Sequence, residues 1–287
     1  MYEDGLPPLR DVISQYELNA RKSLGQNFLT DLNLTGKIAR CAEGLGGSSL
    51  KDSIIYEVGP GPGALTRALL MEGAHRVVAV EMDPRCIEAL TQVQAAYSGR
   101  LNVIEGDALK VNEQELIGDT EGRPVKIIAN LPYNVGTALL VKWLTLKNWL
   151  PWYSSLTLMF QKEVGMRIIA EPRTKAYGRL SVLGQYRADA RIMFDVPARA
   201  FTPAPKVTSC IVALTPKAEQ GDTPKQAILE RVVYAAFNQR RKMLRSSLKA
   251  LGGNPKPFLE AADIKETWRA EELTVADFCR LARAYEK

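Results

Sequence analysis

Asn130, Leu131 and Tyr133 stand together in Asn130-Leu131-Pro132-Tyr133, directly after the apolar run Val125-Lys126-Ile127-Ile128-Ala129. Such a run reads as a buried strand of a parallel sheet. The end of that strand is where an open α/β sheet takes its ligand. A carboxamide oxygen at Asn130 accepts one hydrogen of an exocyclic amine. The Leu131 carbonyl, held extended by the proline that follows, accepts the other. Tyr133 stacks on a flat ring. Asn130, Leu131 and Tyr133 are therefore candidate catalytic residues for transferring a methyl group to the amine of adenine or a similar base. Taken alone, the tetrapeptide also fits an ordinary turn, because Asn and Pro are common turn residues.

A second cluster lies upstream. Glu57-Val58-Gly59-Pro60-Gly61-Pro62-Gly63-Ala64 follows an apolar strand and opens a helix. Glycines there let the backbone approach a ligand closely. Gly59, Gly61 and Ala64 also satisfy the dinucleotide fingerprint, so the loop alone does not separate NAD from another adenosine cofactor. Glu81 ends the next strand about 20 residues on, where an acid accepts hydrogen bonds from ribose; it also fits a helix cap, with Asp83 the better placed. Asp107, in Glu105-Gly106-Asp107-Ala108, is set to accept from an adenine amine or simply to form a turn. A glycine loop, two acids and Asn-Leu-Pro-Tyr at consecutive strand ends make the layout of an S-adenosylmethionine-dependent methyltransferase. A dehydrogenase is the remote alternative: the single histidine, His75, sits in a connecting segment, and NADH binding would test it. The P-loop pattern is absent.

The elements that must carry these residues follow from the patterning. Strands are expected at 53–58, 76–80, 101–104, 125–129 and 156–160, alternating with helices at 64–71, 84–97, 137–148 and 162–170. Thr30 or Asp31 caps a helix before the first strand. Strands at 191–194 and 207–214 close the set with an antiparallel edge. The repeated β-α units predict an α/β, doubly wound sheet. Residues 215–223 read as a linker. Thr223 then caps a helix with Pro224 in its first turn, running to Gly252-Gly253. The expected domains are 1–216, the methyltransferase domain, and 217–287, a small helical domain, for which the family resemblance given below implies contact with RNA and the ribosome.

Composition limits the partners. The apolar segment 138–150 is interrupted by Lys142 and Lys147, so no membrane span is expected. The acidic start lacks the basic and apolar regions of a signal peptide. Cys41, Cys86, Cys210 and Cys279 are scattered, against a zinc site or a disulfide framework, and a cytoplasmic location is expected. Net charge is +6, and residues 225–251 carry Lys225, Arg231, Arg240, Arg241, Lys242, Arg245 and Lys249 against the single acid Glu230. That run fits phosphate contact or a solvated helix face.

Five segments together resemble the ribosomal RNA adenine dimethyltransferase family acting on the small subunit. They are Lys22-Ser23-Leu24-Gly25-Gln26-Asn27-Phe28-Leu29, Glu57-Val58-Gly59-Pro60-Gly61, Asn130-Leu131-Pro132-Tyr133-Asn134, Phe201-Thr202-Pro203-Ala204-Pro205-Lys206-Val207 and Phe237-Asn238-Gln239-Arg240-Arg241-Lys242. The resemblance implies a Rossmann-like class I methyltransferase domain with a small C-terminal all-helical domain. It implies that Asn27 and Leu29 touch the methionine part of S-adenosylmethionine, Gly59 the adenosine, Glu81 the ribose and Asp107 the adenine, with Asn130 between cofactor and target. Phe201 is the candidate for the second face of the target base, beside its reading as a core residue. Arg240, Arg241, Lys242 and Arg245 are the candidate RNA contacts. The implied reaction is N6,N6-dimethylation of two adjacent adenosines in the 3′-terminal hairpin of 16S rRNA in the 30S subunit, by a monomer with no metal, during ribosome biogenesis. A large-subunit enzyme of the macrolide-resistance type and a non-catalytic RNA-binding assembly factor are the competing readings. A longer N-terminal lead-in and the Pro62-Gly63 pair depart from the family pattern.

Overall fold

A computed structural model describes residues 4–21, 24–147, 149–218 and 223–286. Short, largely apolar runs become strands because both faces of a parallel sheet are covered. In chain order they are β1 (Phe28–Leu29), β2 (Ile54–Val58), β3 (Arg76–Glu81), β4 (Leu101–Glu105), β5 (Val125–Ala129), β6 (Ser155–Gln161), β7 (Ala188–Val196), β8 (Phe201–Thr202) and β9 (Ser209–Pro216). Every residue of β2 and β5 is buried. The main sheet runs β4-β3-β2-β5-β6-β9-β7. Its β2–β3, β2–β5, β3–β4 and β5–β6 pairs are parallel and its β6–β9 pair is antiparallel. The strand order reverses between β2 and β5, the crevice where such sheets bind ligands. This is the α/β arrangement the sequence predicts, with the antiparallel edge.

Helices pack between the strands at Leu32–Cys41, Ala64–Met71, Pro84–Ala96, Gly136–Leu144 and Lys162–Ile168. Asp31 rather than Thr30 caps the first of these, accepting from Asn33 N at 2.9 Å and Leu34 N at 3.3 Å. Lys126 of β5 is fully buried, and its ammonium donates to the carbonyls of Ala42 and Leu45 at the helix's C-terminal end. A cation there complements the helix dipole and fills carbonyls with no helical partner. The lead-in is anchored by Asp4, which holds the Arg67 guanidinium bidentately at 2.8 Å; both side chains are 1% exposed.

The chain forms two compact units. The first draws on Met1–Leu140, Pro151–Gly165 and Arg191–Pro216, the second on Val141–Leu150, Met166–Ala190 and Lys217–Lys287. The second has its own core, in which Tyr177 and Val182 pack with Leu229, Val233, Leu244, Phe278 and Leu281.

Two expectations need correction. The expected helix from Thr223 to Gly252-Gly253 is broken: it spans Gln226–Asn238 with Lys225 at its cap, followed by a turn and the short helix Leu244–Ser247. Gln239-Arg240-Arg241-Lys242 offers no apolar side chain to extend the buried face. Leu244 N and Arg245 N instead bond to the carbonyls of Trp268 and Glu266 at 2.7 and 3.0 Å. The helix expected to reach 148 ends at Leu144. The ladder of β1 and β8 and the helices Glu113–Ile117 and Arg179–Arg187 were not expected. Lys22, Ser23, Asn148 and linker residues 219–222 lie outside the described residues. Among those described, no helix is long and apolar enough to cross a membrane.

Candidate active site

The ends of β2 to β5 open into a cavity of about 310 Å³ in the first unit. Asn27, Leu29, Gly59, Glu81, Asp107, Asn130, Leu131 and Tyr133 all line it. Residues far apart in sequence meet here because each stands at, or packs over, the same edge of the sheet.

The glycine loop forms the floor. Gly59 and Gly61 have φ of +68° and +55°, conformations that suit glycine. A Cβ on Gly61 would lie 3.0 Å from the Phe28 ring, so the loop packs closely under β1. Gly61 N donates to Glu81 Oε2 at 3.0 Å, while Met82 N and Asp83 N donate to Oε1 at 2.8 and 2.9 Å. A carboxylate offers about four acceptor positions. Three are filled by backbone, which leaves Oε2 as the oxygen for a ligand hydroxyl. Burial pushes the Glu81 carboxyl up in pKa, against those three donors.

Asp107 lies half-buried on the wall. Its Oδ1 accepts from Leu109 N at 3.0 Å and its Oδ2 lies 3.4 Å from Lys110 Nζ. Thus Asp107 closes a turn as well as facing the cavity.

Asn130 Nδ2 donates to the Asn27 carbonyl at 3.3 Å. This orients the carboxamide and leaves its oxygen as an acceptor. Val135 N and Gly136 N both bond to the Pro132 carbonyl, at 3.2 and 3.0 Å, so the Leu131 carbonyl falls outside the helical ladder. Tyr133 is half-buried, with its hydroxyl 2.5 Å from Ser209 Oγ. Burial raises the phenol's pKa.

Phe201 is placed differently from the rest. It pairs with Leu29 across the β1–β8 ladder, is 4% exposed within the core and does not line the cavity.

Glu57 is not singled out by the motifs, although an acid inside an otherwise apolar strand is a signal the sequence offers. It lines the cavity, is 1% exposed and accepts from Thr66 Oγ1 at 2.8 Å. Burial, with the neighbouring Glu81 charge adding to it, pushes its carboxyl up to about 8. Gln26 was also passed over. It donates to Asp83 Oδ2 at 3.1 Å and so ties the first motif to the strand end that carries Glu81. Arg85 beside Asp83 holds that carboxyl down at about 2.

In the second unit the four candidate RNA contacts divide. Arg240 donates to Glu271 at 3.1 Å and to the Lys175 carbonyl at 2.7 Å, and Arg245 lies 3.5 Å from Glu266. Arg241 and Lys242 are exposed in the turn, with no ion pair among the described residues. No cluster of three or more His, Cys, Asp or Glu that could hold a metal occurs among the described residues.

A family model described as ribosomal RNA adenine dimethylase matches residues 17–287. The chain belongs to the ribosomal RNA adenine dimethylase family. Within this family, the ribosomal RNA small subunit methyltransferase A of Ruegeria sp. (strain TM1040) is 56% identical over 284 residues, spanning 99% of this chain and 98% of the relative. Its counterpart from Xanthobacter autotrophicus is 57% identical, spanning 98% and 95%. A solved dimethyladenosine transferase from Plasmodium falciparum superposes with a TM-score of 0.71 at 25% identity, spanning 88% of this chain and 95% of that one. The 23S rRNA methyltransferase ErmE shares the fold, with a TM-score of 0.63 at 24% identity over 91% of this chain and 100% of its own. The dimethylase relatives at 56% and 57% identity carry the small-subunit name, so the large-subunit alternative is not favoured.

Proposed function

We propose that this chain dimethylates the N6 amines of two adjacent adenosines in the 3′-terminal hairpin of 16S rRNA, within the 30S subunit, using S-adenosylmethionine. The observation that carries the proposal is Asn130 and Tyr133 on the wall of the cavity floored by Gly59, Gly61 and Glu81. The hairpin, the adenosine pair, the assembly role and action as a monomer rest on the family resemblance, and the cytoplasmic location on composition.

The cavity's donor set suits the cofactor. Glu81 Oε2 takes a ribose hydroxyl, Asp107 faces the adenine, and the close backbone at Gly59 and Gly61 makes room for the adenosine. Asn27 and Leu29 cover the methionine part. Bound there, the cofactor supplies a methyl group already activated on a sulfonium.

The remaining work is positioning. An adenine amine is nearly planar because its lone pair is delocalised into the ring. Accepting its two hydrogens at Asn130 Oδ1 and the Leu131 carbonyl favours a pyramidal nitrogen with its lone pair directed at the methyl. Orientation of this kind contributes up to about 7–11 kcal/mol in well-aligned cases. Taking the base out of its stack costs a few kcal/mol. Stacking on Tyr133, worth about 1–3 kcal/mol, offsets part of that. The core position of Phe201 does not support it as the opposite face. After one methyl transfer the cationic nitrogen releases a proton to solvent; a single hydrogen then remains, and either acceptor suffices to hold it. Arg241 and Lys242 contact RNA phosphates, which fixes register without reading bases.

The test uses small subunits from cells lacking this methylation and, in parallel, large subunits, each incubated with the protein and labelled S-adenosylmethionine, then digested for mass spectrometry. Dimethyladenosine in the 3′-terminal hairpin is expected, and its loss in Asn130→Ala. Label confined to large-subunit RNA, or tight subunit binding without label, would overturn the proposal.

A further inference from the structure

Tyr133 sits on the turn after β5, and the turn alone does not orient its ring. An aromatic side chain held only at Cα exchanges rotamers on the ps–ns scale when exposed. Here the far end of the ring is also held. The Tyr133 hydroxyl lies 2.5 Å from Ser209 Oγ, and Ser209 is completely buried. Ser209 opens β9, paired with Gln161 at the end of β6, and β6 pairs directly with β5. One sheet therefore places both the backbone end of Tyr133 and the hydroxyl that its tip bonds to. Ser209 does not line the cavity, so it does not touch a ligand there.

We infer that Ser209 is a positioning residue that fixes the axis of the Tyr133 ring against the target base. The inference rests on Tyr133 being the stacking platform proposed above. A ring fixed at both ends meets a flipped base already oriented, and no ordering is left for the moment of binding. Without Ser209 Oγ the phenol swings and the base it carries loses its alignment with Asn130 Oδ1.

The test is a double-mutant cycle on methylation of unmodified small subunits, with Ser209→Ala, Tyr133→Phe and the double variant, each checked for a cooperative melt. Both single variants lower kcat by between about 10- and 100-fold, the scale of a displaced positioning contact. KM for the subunit stays within about twofold, since phosphate contacts elsewhere set it. The double variant loses no more than either single one, because both remove the same bond. Ser209→Thr, which keeps the hydroxyl, recovers most of kcat. Full kcat in Ser209→Ala, or losses that multiply in the double variant, would overturn the inference. If Ser209→Ala does not fold, Tyr133→Phe decides, and full kcat there has the same effect. Absence of dimethyladenosine with the unmutated protein is a different result: it removes the proposed function, and this inference with it.

Discussion

The carboxamide of Asn130 donates to the backbone carbonyl of Asn27 at 3.3 Å, across 103 residues of chain. The bond joins the segment over the cavity to the strand end beneath it. It also fixes which end of the carboxamide is left for a ligand, because the nitrogen is occupied and, among the described residues, the oxygen is not. An amide in that orientation accepts from an amine.

Replacing Asn130 therefore removes an acceptor and an orientation together. Asn130→Ala is expected to lower kcat for methyl transfer by about 10²–10³, the usual scale for one preorganised polar group. Cofactor affinity by calorimetry should change far less, since Glu81 and the glycine loop are untouched. A parallel collapse of cofactor binding would show that Asn130 holds the loop rather than the amine.

Gly61→Ala tests the floor. The added methyl lies 3.0 Å from the Phe28 ring, at a φ of +55° that strains any other residue. The strand pair β1–β8 leaves Phe28 little room to give. Cofactor affinity is expected to fall at least about tenfold, or 1.4 kcal/mol, with β1 displaced. Unchanged calorimetric affinity would refute this account of the loop.

Glu57 links stability to pH. Its carboxyl stands at about 8 in the folded protein against an ordinary value of 4.5, chiefly through burial. The folded state thus holds this proton more tightly than the unfolded chain does. The associated stability is complete below about pH 4.5 and is lost progressively as pH rises towards about 8, by up to about 5 kcal/mol. Glu57→Gln keeps an acceptor for Thr66 and cannot ionise, so its urea midpoint should exceed that of the wild type at about pH 8.5 and approach it at about pH 5. Equal pH slopes for the two proteins would count against the assignment.

The basic turn should divide by salt dependence. Lys242→Ala and Arg241→Ala each lower the slope of log affinity against log salt by about 0.7–0.9 on RNA, as expected for loss of one phosphate contact. Arg240→Ala should leave the slope nearly unchanged and reduce stability by about 1 kcal/mol, because its guanidinium holds Glu271 and the Lys175 carbonyl. Salt titrations of subunit binding with a parallel melt separate the two behaviours.

The α/β plan was legible because β2 and β5 are short runs, apolar but for Glu57 and Lys126, and each is followed at once by a turn-forming residue, Gly59 or Asn130. Gly59, Glu81, Asp107 and Asn130 were legible for a related reason: each stands at or just past the end of a strand. The β1–β8 ladder was not, since Phe28–Leu29 and Phe201–Thr202 are too short to show a period. That ladder turns Phe201 into the core. The sorting of Arg240 from Lys242 was equally hidden, because Glu271 and Lys175 are remote in sequence and a charge run looks uniform until its partners are placed. Ser209 carried no chemical signal alone; only the closeness of the Tyr133 hydroxyl distinguishes it.

The second unit's core takes Tyr177 and Val182 from one stretch of chain and Leu229, Phe278 and Leu281 from another. Its basic turn is consequently no detachable appendage. A protein cut after Pro216 would not be a shorter enzyme but one with Tyr177 and Val182 stripped of their cover, a greasy surface prone to self-association. Descent by simple loss or gain of a C-terminal module is hard to reconcile with such interleaving. The basic turn and the segments 141–150 and 166–190 that share its unit are expected to vary as one piece.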